Sequence, residues 1–121
     1  MVSAFASAAY HWSSRPKRYP KQLEDGVELW APQKLYHQST NFVFPDRGVH
    51  HPVPWTLQLD IRNVMELKVE AFHQHPSQLP VYDKVKPYWE RFGTDEYYTL
   101  AAATVPQQAQ LESSMFQNVT E

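Results

Sequence analysis

Between Leu59 and Gln78 the chain changes period, and that change limits what it can fold into. Leu59 and Asp60 read as the end of a short strand. Ile61, Met65, Val69 and Phe72 then recur at helical spacing, with Val64, Leu67 and Ala71 widening the stripe. Arg62, Glu66 and Glu70 fall away from it, which leaves the apolar face of a helix docked on a sheet or on other helices. The spacing predicts a helix from about Arg62 to His75, capped by Asp60 or Asn63. Pro76 ends it, because a proline disfavours helix at the residue before it.

The other elements follow from similar punctuation. Residues 2 to 13 are alanine-rich and predict a helix with Phe5, Ala8, Ala9 and Trp12 along one face. A helix that begins almost at Met1 is what a cut through an existing helix would give; an ordinary frayed first helix is the other reading. Tyr19-Pro20 opens a helical turn through Leu23, with Gly26 as its stop. Lys34 to Ser39 and Thr56 to Leu59 read as strands, and Asn41 to Trp55, with its prolines, as an irregular loop. A second main helix is predicted from Tyr82 to Phe92, anchored by Trp89 and Phe92 and stopped by Gly93. Pro87 either kinks it or marks its first turn. Asp95 to Ala102 is a last ordered piece, helix or strand. From about Thr104 the sequence is polar and Gln-rich and reads as a disordered tail. The expectation is therefore a mixed α/β domain over residues 1–103, with a few short strands, three or four helices and an incomplete sheet, followed by a tail at 104–121.

Composition excludes several classes of function. The 121 residues suffice for one small domain, and 42% hydrophobic residues permit a core. The formal net charge is −2 and the basic residues are scattered, so there is no footprint for nucleic acid or an anionic membrane. The chain has no cysteine, which removes disulfides and thiolate metal sites and suits a reducing, cytoplasmic setting. No apolar run approaches the roughly 20 residues of a membrane span. The Asn118-Val119-Thr120 sequon has meaning only in a secreted protein.

The chemistry-bearing side chains form no recognisable catalytic pattern. His50 and His51 are adjacent and point to opposite sides of an extended segment. His73 and His75 are two apart on a helix and do not share a face. Glu66, Glu70, Asp95 and Glu96 make no acid–base pair by spacing. The aromatic set Trp30, Trp55, Tyr82, Tyr88, Trp89, Phe92, Tyr97 and Tyr98 fits core and interface filling, or a surface on which sugar faces stack.

One pattern spans residues 3 to 98. An alanine-rich helix end is followed by Tyr19-Pro20 with Leu23 and Gly26, then by Trp30 and Lys34-Leu35-Tyr36. A proline-bearing loop leads to Asp60-Ile61, a helix with Lys68, and His75-Pro76-Ser77-Gln78. This order resembles the C-terminal half of the PIG-L/LmbE-like zinc deacetylases, which remove acetyl groups from N-acetylglucosamine-type substrates. The resemblance implies a portion of a Rossmann-like sandwich. It also implies a zinc enzyme when intact, with an amino-sugar substrate. The family's His-Pro-Asp-Asp and His-x-Asp-His type motifs are absent, and Met1 lies where the family chain has just passed the second of them. No catalytic residue or zinc ligand carries over, so no cofactor is expected in this chain and no activity alone. His75, Ser77 and Gln78 match a polar corner of the family, as part of a substrate cleft or subunit contact. The other reading of that corner is simple helix termination. The implied partner is the missing N-terminal half or a second copy. An interaction module on a deacetylase-derived scaffold is the alternative.

Overall fold

The computed structural model describes residues 2–39 and 54–120. The expected loop from Asn41 lies outside the described residues except at its last two positions, as do His50 and His51. Within the described residues are four α-helices, α1 (Val2–Trp12), α2 (Pro20–Glu24), α3 (Met65–His73) and α4 (Leu79–Phe92). The strands β1 (Lys34–Ser39), β2 (Leu57–Asp60) and β3 (Asp95–Ala103) form one sheet in the order β1-β3-β2. The mixed helix and strand composition is as expected. β1 has its expected limits, and the open choice at Asp95 resolves to strand.

The chain divides into two compact units. The first comprises 2–37, 100–109 and 118–120 among the described residues; the second comprises 38–39, 54–99 and 110–117. This differs from one domain over 1–103 with a separate tail, because the last residues contribute to both units.

In the first unit α1 is anchored through Tyr10, which is buried, while Phe5 is 69% exposed. The packed side is thus rotated from the Phe5-Ala8-Ala9-Trp12 line, because Tyr10 offers a large ring with a polar tip. Its hydroxyl points at the Gln33 carbonyl, 3.4 Å away. Gln33 also closes the unit on the C-terminal segment: its amide oxygen accepts the Thr120 N–H at 2.9 Å and its amide nitrogen donates to the Thr120 carbonyl at 2.5 Å. α2 ends as the sequence predicts. Gly26 takes φ +84°, its N–H donates to Leu23, and the Val27 N–H reaches back to Gln22 at 2.9 Å. These two bonds satisfy the last carbonyls of the helix, and the left-handed backbone is why glycine stands there.

In the second unit β2 pairs antiparallel with β3, placing Leu57 opposite Tyr98 and Asp60 opposite Asp95. The facing carboxylates are separately compensated. Asp60 accepts from Arg62, and Asp95 accepts from Gln58 Nε2 and Thr94 Oγ1, both at 2.9 Å. Asp60 is also the reason α3 starts late. Its carboxylate takes the Arg62 N–H at 3.1 Å, a local turn that competes with helix, and 62–64 forms a 3-10 turn. Neither Asp60 nor Asn63 is the N-cap; Ile61 and Val64 hold those positions without a side-chain bond.

Ile61 is buried and Met65, Val69 and Phe72 are half-buried, so the narrow stripe packs inward. The widening residues do not: Leu67 is 64% exposed, and Val64 and Ala71 are exposed as well. α4 begins three residues before the predicted Tyr82, with Pro80 in its first turn, and Pro87 lies inside it. Gly93 stops it by close approach rather than by a left-handed backbone, since its φ is −79°. A Cβ there would collide with the Trp89 carbonyl and lie 3.0 Å from Met65 Cε.

The stretch expected to be a disordered tail meets β2. Glu112 is buried and forms a parallel bridge with Leu57; its N–H donates to Thr56 at 2.8 Å and its carbonyl accepts from Gln58 at 3.0 Å. Composition cannot signal this, because the contact is made by backbone. Truncation after Ala109 therefore lowers the melting temperature by several degrees, read by circular dichroism. An unchanged melt would restore the disordered tail.

Candidate functional site

Among the described residues of the second unit, a groove between α3 and α4 is the candidate site. Met65 and Val69 from α3 face Tyr82 and Trp89 from α4 around a cavity of about 300 Å³ that ends at Gly93 and Thr94. A second depression, about 340 Å³, shares Met65 and Val69 and continues along α3 past Glu66, Glu70 and His73. The helical stripe supplies the apolar floor. The i, i+4 spacing of Glu66 and Glu70 puts both carboxylates on one edge.

Aromatic rings fix the walls. Phe72 meets Trp89 edge-on at 5.2 Å between centroids and lies 5.8 Å from Tyr82, while His73 packs against Tyr82 at 4.5 Å. Edge-to-face packing of this kind orients rings as well as burying them.

A polar chain ties the groove to β3. Lys68 Nζ is 2.8 Å from Glu96 Oε1 and 5.5 Å from the centre of the Trp89 ring. The Tyr98 hydroxyl donates to Glu96 Oε2 at 2.5 Å. Burial pushes the Glu96 carboxyl up, but hydrogen bonds from Lys68 and Tyr98 and the Lys68 charge outweigh it, and the net shift is downward. Burial and the Glu96 carboxylate together push the Tyr98 hydroxyl up to about 12. Both oxygens of Glu96 are thus committed, and Glu96 serves as a clamp between α3 and β3 rather than as a proton acceptor. Outside the groove, hydrogen bonds from Arg62 hold the exposed Asp60 carboxyl down at about 2.

The sequence-predicted corner lies elsewhere. His75 is the N-cap of a 3-10 turn over Pro76–Gln78, and its carbonyl accepts the Gln78 N–H at 2.8 Å. His75, Ser77 and Gln78 are all exposed, between α3 and α4 in sequence, and none lines the groove. His73, by contrast, reaches it. Lys68, Glu96 and Tyr98 were not legible as a unit, because 28 residues separate Lys68 from Glu96 and only strand pairing brings them together.

Among the described residues, no group of three or more metal-ligating side chains converges, and no helix is long and apolar enough to cross a membrane. No protein-family model matches the chain, and neither a curated protein nor a solved structure matches it.

The clamp gives stability a pH dependence at both ends. A carboxyl lowered from 4.5 stabilises the fold above that value and loses its contribution as pH falls through the folded value. A phenol raised from 10.0 to about 12 contributes fully below pH 10 and is lost between the two values. Absorbance titration at alkaline pH will show one tyrosine ionising near 12, and Tyr98→Phe will remove that step. Its persistence in the variant would assign it elsewhere.

Proposed function

We propose that this chain is the C-terminal part of a PIG-L/LmbE-like N-acetyl deacetylase and has no hydrolytic activity of its own. One observation carries the reading most. β2 runs through Asp60-Ile61 into α3, α3 carries Lys68 inward to Glu96, and the helix ends at the His75-Pro76-Ser77-Gln78 corner before α4. Those are the landmarks of the resemblance, in its order. The Gly26 stop in the first unit and β1 at Lys34–Ser39 also support it.

In this reading the antiparallel β2–β3 pair is the margin of a larger Rossmann-like sandwich, since mixed sheets of that kind often carry an antiparallel edge. The catalytic zinc belongs to the N-terminal motifs. A hydrolytic zinc site needs three protein ligands and an open position for the water it activates. The present chain would contribute packing helices, a sheet edge and part of the amino-sugar cleft.

A specific observation favours a second reading as an interaction module. Trp30 is 74% exposed and Phe116 80% exposed, large rings that a self-sufficient domain ordinarily covers.

One experiment separates the readings. The purified chain is assayed for acetate release from an N-acetylglucosaminyl substrate with added zinc, alone and mixed with a polypeptide bearing the two zinc motifs of the family. The expected result is no release alone and zinc-dependent release from the mixture. Release by the chain alone would overturn the assigned inactivity. A silent mixture, with the chain monodisperse and cooperatively melting, would favour the interaction module.

A further inference from the structure

The groove between α3 and α4 has unbalanced charge, and so does a segment of the first unit. Along α3, the exposed Glu66 and Glu70 border the apolar floor of Met65 and Val69. On α4, Glu90 is already 3.8 Å from Lys86, so the net charge at the rim comes from Glu66 and Glu70. Neither makes an ion pair among the described residues.

The complementary feature is the stretch Arg15-Pro16-Lys17-Arg18-Tyr19-Pro20-Lys21. It holds four cations and no acidic residue, and every position in it is exposed. The Arg18 guanidinium is stacked 3.7 Å over Trp12. Arg15, Lys17 and Lys21 make no ion pair with their own chain among the described residues. The backbone here is held in turns, with Arg15 N–H on the Trp12 carbonyl and Arg18 N–H on Arg15, each at 3.0 Å. The cations are therefore displayed on an ordered stretch, which reduces the entropy lost on docking.

We propose that the α3–α4 groove receives the basic 15–21 segment of a second copy of this chain. Lys17 and Arg15 meet Glu66 and Glu70, and their aliphatic stems cover Met65 and Val69. The Tyr82 ring at the groove wall offers a further face to a cation. Two copies related by a two-fold axis each give a segment and receive one, so the contact closes as a dimer. This inference rests on charge complementarity between exposed residues and is independent of the deacetylase reading.

The test is a charge swap read by light scattering or sedimentation. At low ionic strength the wild-type chain has twice the 14.2 kDa monomer mass, and the mass falls toward the monomer at high salt. The double variants Glu66→Lys with Glu70→Lys, and Arg15→Glu with Lys17→Glu, are each monomeric, since each sets like charge against like. An equimolar mixture of the two regains the dimer, because both cross-contacts are again between opposite charges. All four residues are exposed, and unchanged circular dichroism melts confirm that the variants are folded. A monomeric wild type at low salt, a dimer that survives either reversal, or a mixture that stays monomeric would each overturn the proposal.

Discussion

The second unit depends on how a four-residue strand comes to hold the one fully buried large side chain of the described residues. Leu57 on β2 is 0% exposed. β2 is last in the order β1-β3-β2, where one edge would be left open to solvent and to other chains. Glu112 closes it. Thr56 N–H donates to Tyr98 on one side, and Glu112 exchanges bonds with Thr56 and Gln58 on the other. A short strand bonded on both edges can bury its apolar residue without leaving backbone groups unsatisfied.

From that strand the helices are placed by local geometry. Ile61 N–H donates to the Thr94 carbonyl at 2.9 Å, so the exit from β2 and the entry to β3 are pinned together. The Asp60 turn delays α3 until Met65, and Gly93 lets α4 end against Met65 without a clash. The Lys68–Glu96–Tyr98 chain then ties α3 to β3 at half-buried positions, where such bonds are screened less than on an open surface. The buried apolar residues among those described are few, Tyr10, Leu57, Ile61 and Val85, while rings such as Trp30 and Phe116 remain exposed. Exposed apolar surface of this kind is where a missing sheet neighbour, a partner or a second copy would act.

Much of the fold was legible in the sequence, and its failures share a cause. β1, the Gly26 stop and the inward stripe Ile61-Met65-Val69-Phe72 follow from period and turn chemistry, both local. The wider stripe through Leu67 failed because period marks apolar positions but not how much partner surface exists to cover them. Pro87 was ambiguous because proline marks the first turn of a helix or interrupts its interior, and the extra turn from Leu79 depends on Pro80 and on packing. Of the candidate site, only the α3 floor and the aromatic character of α4 could be read ahead. The exposed corner of His75, Ser77 and Gln78 stood out only through its match to a polar corner of the resembled family, and local spacing gives it no place in the groove.

The sequence by itself determined β1, the Gly26 stop and the inward stripe of α3, the absence of thiol chemistry, and the spacing that puts Glu66 and Glu70 on one edge of α3. These are properties of neighbours a few residues apart. Tertiary structure alone decided that Glu112 covers Leu57, that Lys68 finds Glu96, and that Gln33 closes on Thr120. Each joins residues far apart in the chain through hydrogen bonds available to many side chains and to every backbone. Residue type therefore does not mark them, and only the folded path of the chain selects the partner.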